Sequence, residues 1–168
     1  VATNALLERN GDRTLLLITE GFGDLLRIGY QNRPLLFDLN IKLPELLYER
    51  VVEVSERLDS KGNIIKNVNE EEVRLSLKKA KLDGINSLAI AFMHSYINPD
   101  HENKIAKIAF EEGFDQISVS HKVSPLIKLV GRGDTTIVDA YLSPILRRYV
   151  NQVSEELKET KSTKLMFM

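Results

Sequence analysis

The sequence predicts an α/β fold, a layered and mostly parallel sheet with helical crossovers and an added β-hairpin. Three observations carry that expectation. Apolar runs of strand length occur at residues 13–19 (RTLLLIT) and 87–93 (SLAIAFM), with a shorter one at 116–120 (QISVS). Stretches with helical periodicity separate them, and a glycine closes a helical stretch before each run. Strands that are apolar on both faces belong inside a sheet covered by helices on both sides, and a crossover helix between successive strands makes those strands parallel.

Taken in order, Ala5, Leu6 and Leu7 mark a short helix that Gly11 stops, and the run 13–19 follows as a buried strand. Gly21 and Gly23 punctuate the next turn, and the stretch from Gln31 to Arg50, with Pro34 and Pro44, keeps neither regular period and reads as a long ordered loop. Val52, Val54 and Leu58 then alternate with Glu53, Ser55 and Arg57, and DSKGN leads to Ile64 and Ile65, the pattern of a β-hairpin. Asn69 with Glu72 resembles a capping box. The helix it opens carries Val73, Leu77 and Ala80 on one face and ends at Gly84. After the run 87–93, Asn98 and Pro99 fit the N-cap and first turn of a helix burying Ile105, Ile108 and Ala109, closed by Gly113. From Asp134, the residues Val138, Tyr141, Leu142, Ile145, Tyr149, Val153 and Leu157 mark a long amphipathic helix. At Pro144 it either kinks or restarts with Ser143 as cap. The division expected is an α/β domain over 1–133, then the long helix and the start of a following strand over 134–168.

Composition narrows the function. With 43% hydrophobic and 28% charged residues, the 168-residue chain has an ordinary globular profile. Lysine and arginine (23) nearly cancel aspartate and glutamate (24), so no net field draws nucleic acid or anionic lipid. The lack of cysteine excludes disulfides, thiolate metal sites and a cysteine nucleophile. With no apolar run near the roughly 20 residues of a membrane helix, and no basic-then-apolar leader pattern, a cytoplasmic protein is the default. The opening VATNALLERNG, without methionine, and the closing apolar KLMFM read as an internal stretch of something longer.

Candidate chemistry is sparse. The three histidines are His94, His101 and His121, none spaced four apart on one helix, so no zinc-helix motif exists. The segments HSYINPDHE and SHKVSP follow strands whose C-terminal ends would line the usual ligand crevice of a parallel sheet. They are either a functional pair meeting there or loop packing and capping. In QNRP, Arg33 suits a carboxylate or phosphate, and Gln31 and Asn32 suit an amide, or the group ties down its own loop. The G-R-G-D-T-T stretch around Arg132 sits before the expected start of the long helix. It is either an anion-holding helix start or a plain cap made by Asp134 or Thr135. No phosphate loop of the G-x-x-x-x-G-K-[ST] kind and no G-x-G-x-x-G occurs.

Seven segments in order, VATNALLERNG, ITEGFGDLLRIGYQNRP, LFDL, RVVEV, AIAFMHSYINPDHE, VSHKVSP and TTIVDAYLSPILRRY, resemble the N-terminal region of the hydantoinase A/5-oxoprolinase family over nearly the whole chain. The resemblance implies part of a parent with an actin-like (ribonuclease H-like) fold that couples ATP hydrolysis, with Mg²⁺, to opening a cyclic amide such as hydantoin or 5-oxoproline. The alternatives are a subunit-docking or ligand-binding module, or a fragment of an acetone-carboxylase-type subunit, and the resemblance implies a hydantoinase B-type subunit or domain as partner. The family's G-x-D-x-G-G-T phosphate motif belongs upstream of this stretch and a second glycine-rich nucleotide segment downstream, so the chain alone is expected to bind no cofactor and to be inactive. Matching positions carried over as substrate-side candidates are Thr3, Asn4, Arg9, Gln31, Asn32 and Arg33, with His94 and His121 as catalytic candidates. At VGRGD the chain departs from the family pattern, which leaves Arg132 without an assigned role.

Overall fold

The computed structural model describes residues 1–31, 37, 39–40, 43 and 45–157. Its elements are α1 (Ala2–Leu7), β1 (Thr14–Thr19), α2 (Leu25–Ile28), β2 (Arg50–Val54), β3 (Arg57–Leu58), β4 (Ile64–Lys66), α3 (Glu70–Leu82), β5 (Ser87–Ala91), α4 (Asp100–Glu111), β6 (Gln116–Val119), α5 (Ser120–Val123) and α6 (Leu129–Leu157). Four strands form one parallel sheet in the order β2-β1-β5-β6, and β3 pairs with β4 in a separate antiparallel hairpin.

The sheet is parallel because its two inner strands have no polar face to show water. All six residues of β1 and all five of β5 are buried. Leu15, Leu17, Leu88 and Ile90 point to one side, into a cluster with Val73, Leu77 and Ala80 of α3 and Ile105, Ile108 and Ala109 of α4. Leu16, Ile18, Ala89 and Ala91 point to the other, against Leu129, Ile137 and Ala140 of α6. Each fully buried leucine or isoleucine contributes about 1.5–3 kcal/mol, against roughly 1 kcal/mol net for a ladder hydrogen bond, so apolar burial decides which strands lie inside. The small side chains of Ala89 and Ala91 let α6 lie directly on β5.

Helix limits follow the caps read from the sequence. Asn69 caps α3 by accepting from Glu72 N at 3.3 Å, and Gly84 follows the helix at φ 81°. Asn98 Oδ1 accepts from Asp100 N at 3.0 Å, although α4 starts one residue later than expected, with Pro99 in the cap position.

Three expectations need correction. Residues 52–54 are not the first arm of the hairpin. They belong to β2, an edge strand pairing in parallel with β1 (Leu17 opposite Val52). An edge strand shows the same alternation as a hairpin arm, and β2 ends before Ser55 and the buried Glu56, leaving Arg57–Leu58 against Ile64–Lys66 as the hairpin. Among the described residues, strand β6 lies at an edge of the sheet, paired with β5 alone, rather than in its interior. Its buried polar residues Gln116 and Ser118 are bonded to each other (2.8 Å), and Ser118 donates to Asp139 of α6 (2.6 Å). Finally, α6 starts at Leu129 rather than Asp134 and runs through Pro144 as one helix. The expected strand near the C-terminus lies outside the described residues.

Candidate functional site

The C-terminal ends of β1, β5 and β6 come out side by side, and a network of buried polar groups fills the space around them. Glu102, in the first turn of α4, is fully buried and accepts four hydrogen bonds. Its Oε1 takes Phe92 N (2.9 Å) and Ser120 Oγ (2.6 Å), and its Oε2 takes His121 N (3.1 Å) and His121 Nδ1 (2.6 Å). Burial pushes such a carboxyl toward its neutral form. The four donors outweigh it and hold Glu102 below the usual carboxylate range.

The matching cation is Arg132, also fully buried. Its Nε donates to Ser120 Oγ at 2.9 Å, one Nη to Leu126 O at 2.6 Å, and the other to Phe92 O. The guanidinium lies over the Tyr96 ring, 5.5 Å from its centroid. Ser120 thus stands between the two charges, bonded to both. A second carboxylate–imidazole pair lies alongside. Glu56 Oε2 meets His101 Nδ1 at 2.7 Å, Thr19 donates to Glu56 Oε1, and Met93 N donates to Thr19 Oγ1 at 2.8 Å.

Arg132 therefore does not hold an anion at a helix start, and neither Asp134 nor Thr135 caps one. Arg132 N already donates to Lys128 O at 3.1 Å, and Thr135 and Thr136 bond back to Gly131 O (2.9 Å) and Arg132 O (2.7 Å) inside the helix. The two glycines serve close packing. A Cβ at Gly131 would lie 3.2 Å from Tyr30 Oη, and one at Gly133 would lie 2.9 Å from Leu26 Cδ1.

On the other side of these first turns of α6 opens a cleft of about 660 Å³, lined mainly by apolar side chains such as Leu26, Leu47 and Ile137, with Gln31, Tyr48 and Asp134 among its polar groups. Burial raises the Tyr48 phenol above its ordinary value, so it is an un-ionised hydrogen-bonding group at neutral pH.

The candidates from the sequence divide accordingly. His121 joins the strand-end network. His94, at the end of β5, has φ 62°, and its Nδ1 is buried without a hydrogen-bond partner among the described residues, as is Nε2 of His101. Gln31 lines the cleft with φ 55°, and Arg9, φ 56°, pairs at 3.8 Å with Glu45 of the same lining. Thr3 and Asn4 are exposed on α1. Asn32 and Arg33 lie outside the described residues. Sequence reasoning missed Glu102, Ser120, Glu56 and Thr19, and weighed Arg132 only as part of an anion-holding stretch. HSYINPDHE and SHKVSP do meet, but through Glu102 and His121, and the glutamate that ends the first segment was the available signal. Among the described residues, no group of three His, Cys, Asp or Glu could hold a metal ion, and no helix is long and apolar enough to cross a membrane.

Comparison with known proteins agrees with the layered fold. Residues 1–113 match the family model of the hydantoinase/oxoprolinase N-terminal region, and residues 132–168 match that of hydantoinase/oxoprolinase. The chain is 40% identical to 5-oxoprolinase of Saccharomyces cerevisiae, covering 100% of the chain and 15% of that protein. It is 45% identical to 5-oxoprolinase 1 of Arabidopsis thaliana, covering 90% of the chain and 13% of the relative. The chain thus spans about a seventh of the length of these two relatives. Among solved structures, an ATP-dependent caprolactamase from Pseudomonas jessenii superimposes with a TM-score of 0.85 at 26% identity, over 98% of this chain and 24% of that one.

Proposed function

The chain belongs to the hydantoinase/oxoprolinase family, and from that premise we propose that it is part of an ATP-dependent cyclic-amide hydrolase that opens a 5-oxoproline or hydantoin ring, and that it is inactive alone. The observation that carries this reading is the 40–45% identity to 5-oxoprolinases over 90–100% of the chain. Likeness to an enzyme named for another lactam, caprolactam, supports the same substrate class. A carboxylase-type subunit is the second reading, supported by 30% identity to the gamma subunit of acetophenone carboxylase. The higher identity to oxoprolinases favours the hydrolase.

An unstrained lactam is a poor electrophile, and ATP with Mg²⁺ supplies activation by phosphorylating its oxygen. The G-R-G stretch offers no anion site for a nucleotide: the guanidinium of Arg132 is committed to Ser120, Leu126 and Phe92, and Gly131 and Gly133 are packed under Tyr30 and Leu26. We therefore assign ATP and Mg²⁺ to other parts of the parent, and to this chain the substrate side. In this reading Gln31 offers its carboxamide to the amide edge of a ring in the cleft, with Asn32 and Asn4 as further amide groups. Arg33 takes a substrate carboxylate, and Arg9 and Thr3 support that surface. His121 and His94 move protons at the strand ends. A hydantoinase B-type subunit completes the parent, which works in the cytoplasm.

The test is substrate-stimulated ATP turnover by the parent protein with 5-oxoproline, hydantoin and caprolactam. ADP release that requires one of these rings, together with the ring-opened acid, is the expected result. ATP turnover indifferent to every cyclic amide would defeat the proposal.

A further inference from the structure

We propose that Glu102 is the positioning residue of His121, holding its imidazole as the Nδ1–H tautomer so that Nε2 is the nitrogen that accepts a proton. This rests on the reading of His121 as a proton-transfer group in ring opening, though the tautomer can be measured independently of that chemistry.

The geometry points one way. An ionised carboxylate only accepts hydrogen bonds, so the ring nitrogen 2.6 Å from Glu102 Oε2 must carry the hydrogen. The same oxygen also accepts from the backbone N of His121 at 3.1 Å. Backbone and ring of one residue are therefore clamped at a single atom, which fixes the ring orientation as well as the tautomer. The carboxylate in turn cannot move, because its other oxygen is tied to Phe92 N at the end of β5 and to Ser120 Oγ. Arg132 supplies the counter-charge through Ser120 Oγ, at 2.9 Å, without touching the imidazole.

The neighbouring pair shows why His121 is the one that can exchange a proton. Glu56 and His101 make the same kind of contact at 2.7 Å, but their side chains are 0% and 3% exposed. Glu102 is equally buried at 0%, whereas the side chain of His121 is 13% exposed. One pair is sealed within the fold, and the other joins a buried carboxylate to an imidazole that reaches the surface.

The experiment is ¹⁵N spectroscopy of the histidine rings in this chain at neutral pH, with Glu102→Gln and Ser120→Ala beside the wild type. Expected for wild-type His121 is a protonated Nδ1 and an unprotonated Nε2. Ser120→Ala keeps the carboxylate and should keep that pattern. Glu102→Gln places a side chain that both donates and accepts beside the ring, and the Nε2–H tautomer should appear. If Glu102→Gln does not fold, Glu102→Asp, which keeps the charge but shortens the reach, serves in its place. A wild-type ring in the Nε2–H form overturns the proposal, and so does a folded Glu102 variant in which His121 keeps Nδ1–H alone. In the parent protein, Glu102→Gln should lower kcat about 10- to 100-fold with the KM for the cyclic amide unchanged. Full activity in a His121→Gln parent would instead remove the catalytic reading of His121 while leaving the tautomer result standing.

Discussion

Replacing Arg132 with alanine should be among the most damaging single changes in this chain. The side chain is fully buried and bridges α6, the end of β5 and the Ser120–Glu102 pair. Alanine takes the cation away from a buried carboxylate and strips donors from Phe92 O, Leu126 O and Ser120 Oγ. Each buried acceptor left without its donor costs about 1–3 kcal/mol and Glu102 loses a nearby counter-charge, so the total loss should be about 3–5 kcal/mol. In a chain of 168 residues each kcal/mol corresponds to about 2–4 °C, so Tm should fall by about 6–20 °C. Arg132→Lys keeps the charge but not the planar fork, and should recover only part of the loss. Thermal and urea denaturation followed by circular dichroism reads both variants. A fall in Tm of less than about 3 °C for the alanine variant would mean that Arg132 is not the buried counter-charge described here.

Three further outcomes are expected. Because the carboxyl of Glu102 lies below its ordinary range when folded, its contribution to stability is complete above the unfolded value and is lost as pH falls through the folded one. Urea denaturation across acidic pH should therefore show a steeper decline for the wild type than for Glu102→Gln, and parallel curves would refute this. Calorimetric titration of the isolated chain with Mg-ATP should show no site tighter than about 100 μM, roughly 5.5 kcal/mol, since Arg132 and its glycines are committed to packing. In the parent, Arg33→Ala should lower kcat/KM by about 30- to 1000-fold, the loss of a charge-assisted contact worth roughly 2–4 kcal/mol. A destabilised but fully active variant would return Arg33 to a loop-anchoring role.

The layers were legible in the sequence because burial on both faces writes itself as unbroken apolar runs, as in TLLLIT of β1 and SLAIA of β5. Helix ends were legible where a single residue type does a definite job, as at Asn69 and Gly84. The edge strand β2 was not, since Val52-Glu53-Val54 has the alternation of any half-covered strand, parallel or antiparallel. The start of α6 was hidden because glycine usually marks a turn, whereas Gly131 and Gly133 are there for the close approach of Tyr30 and Leu26. At the strand ends, the meeting of HSYINPDHE with SHKVSP could be foreseen from topology. That Glu102, rather than His94 or His101 of the same segment, reaches His121 depended on which face of α4 turns toward β6, and periodicity near a helix start does not settle that. A buried arginine has no sequence signature of its own, because the groups that satisfy it, Phe92 O, Ser120 Oγ and Leu126 O, are brought to it by the fold.

The central claim is that the strand-end network around His121 carries proton transfer in ring opening. Its most direct test is the turnover of 5-oxoproline at saturating ATP by the parent protein with His121→Gln, measured beside its melting temperature. A fall in kcat of about 10²- to 10⁴-fold with Tm unchanged is the expected result for loss of a general acid–base group. Undiminished turnover in a folded His121→Gln protein would contradict the account.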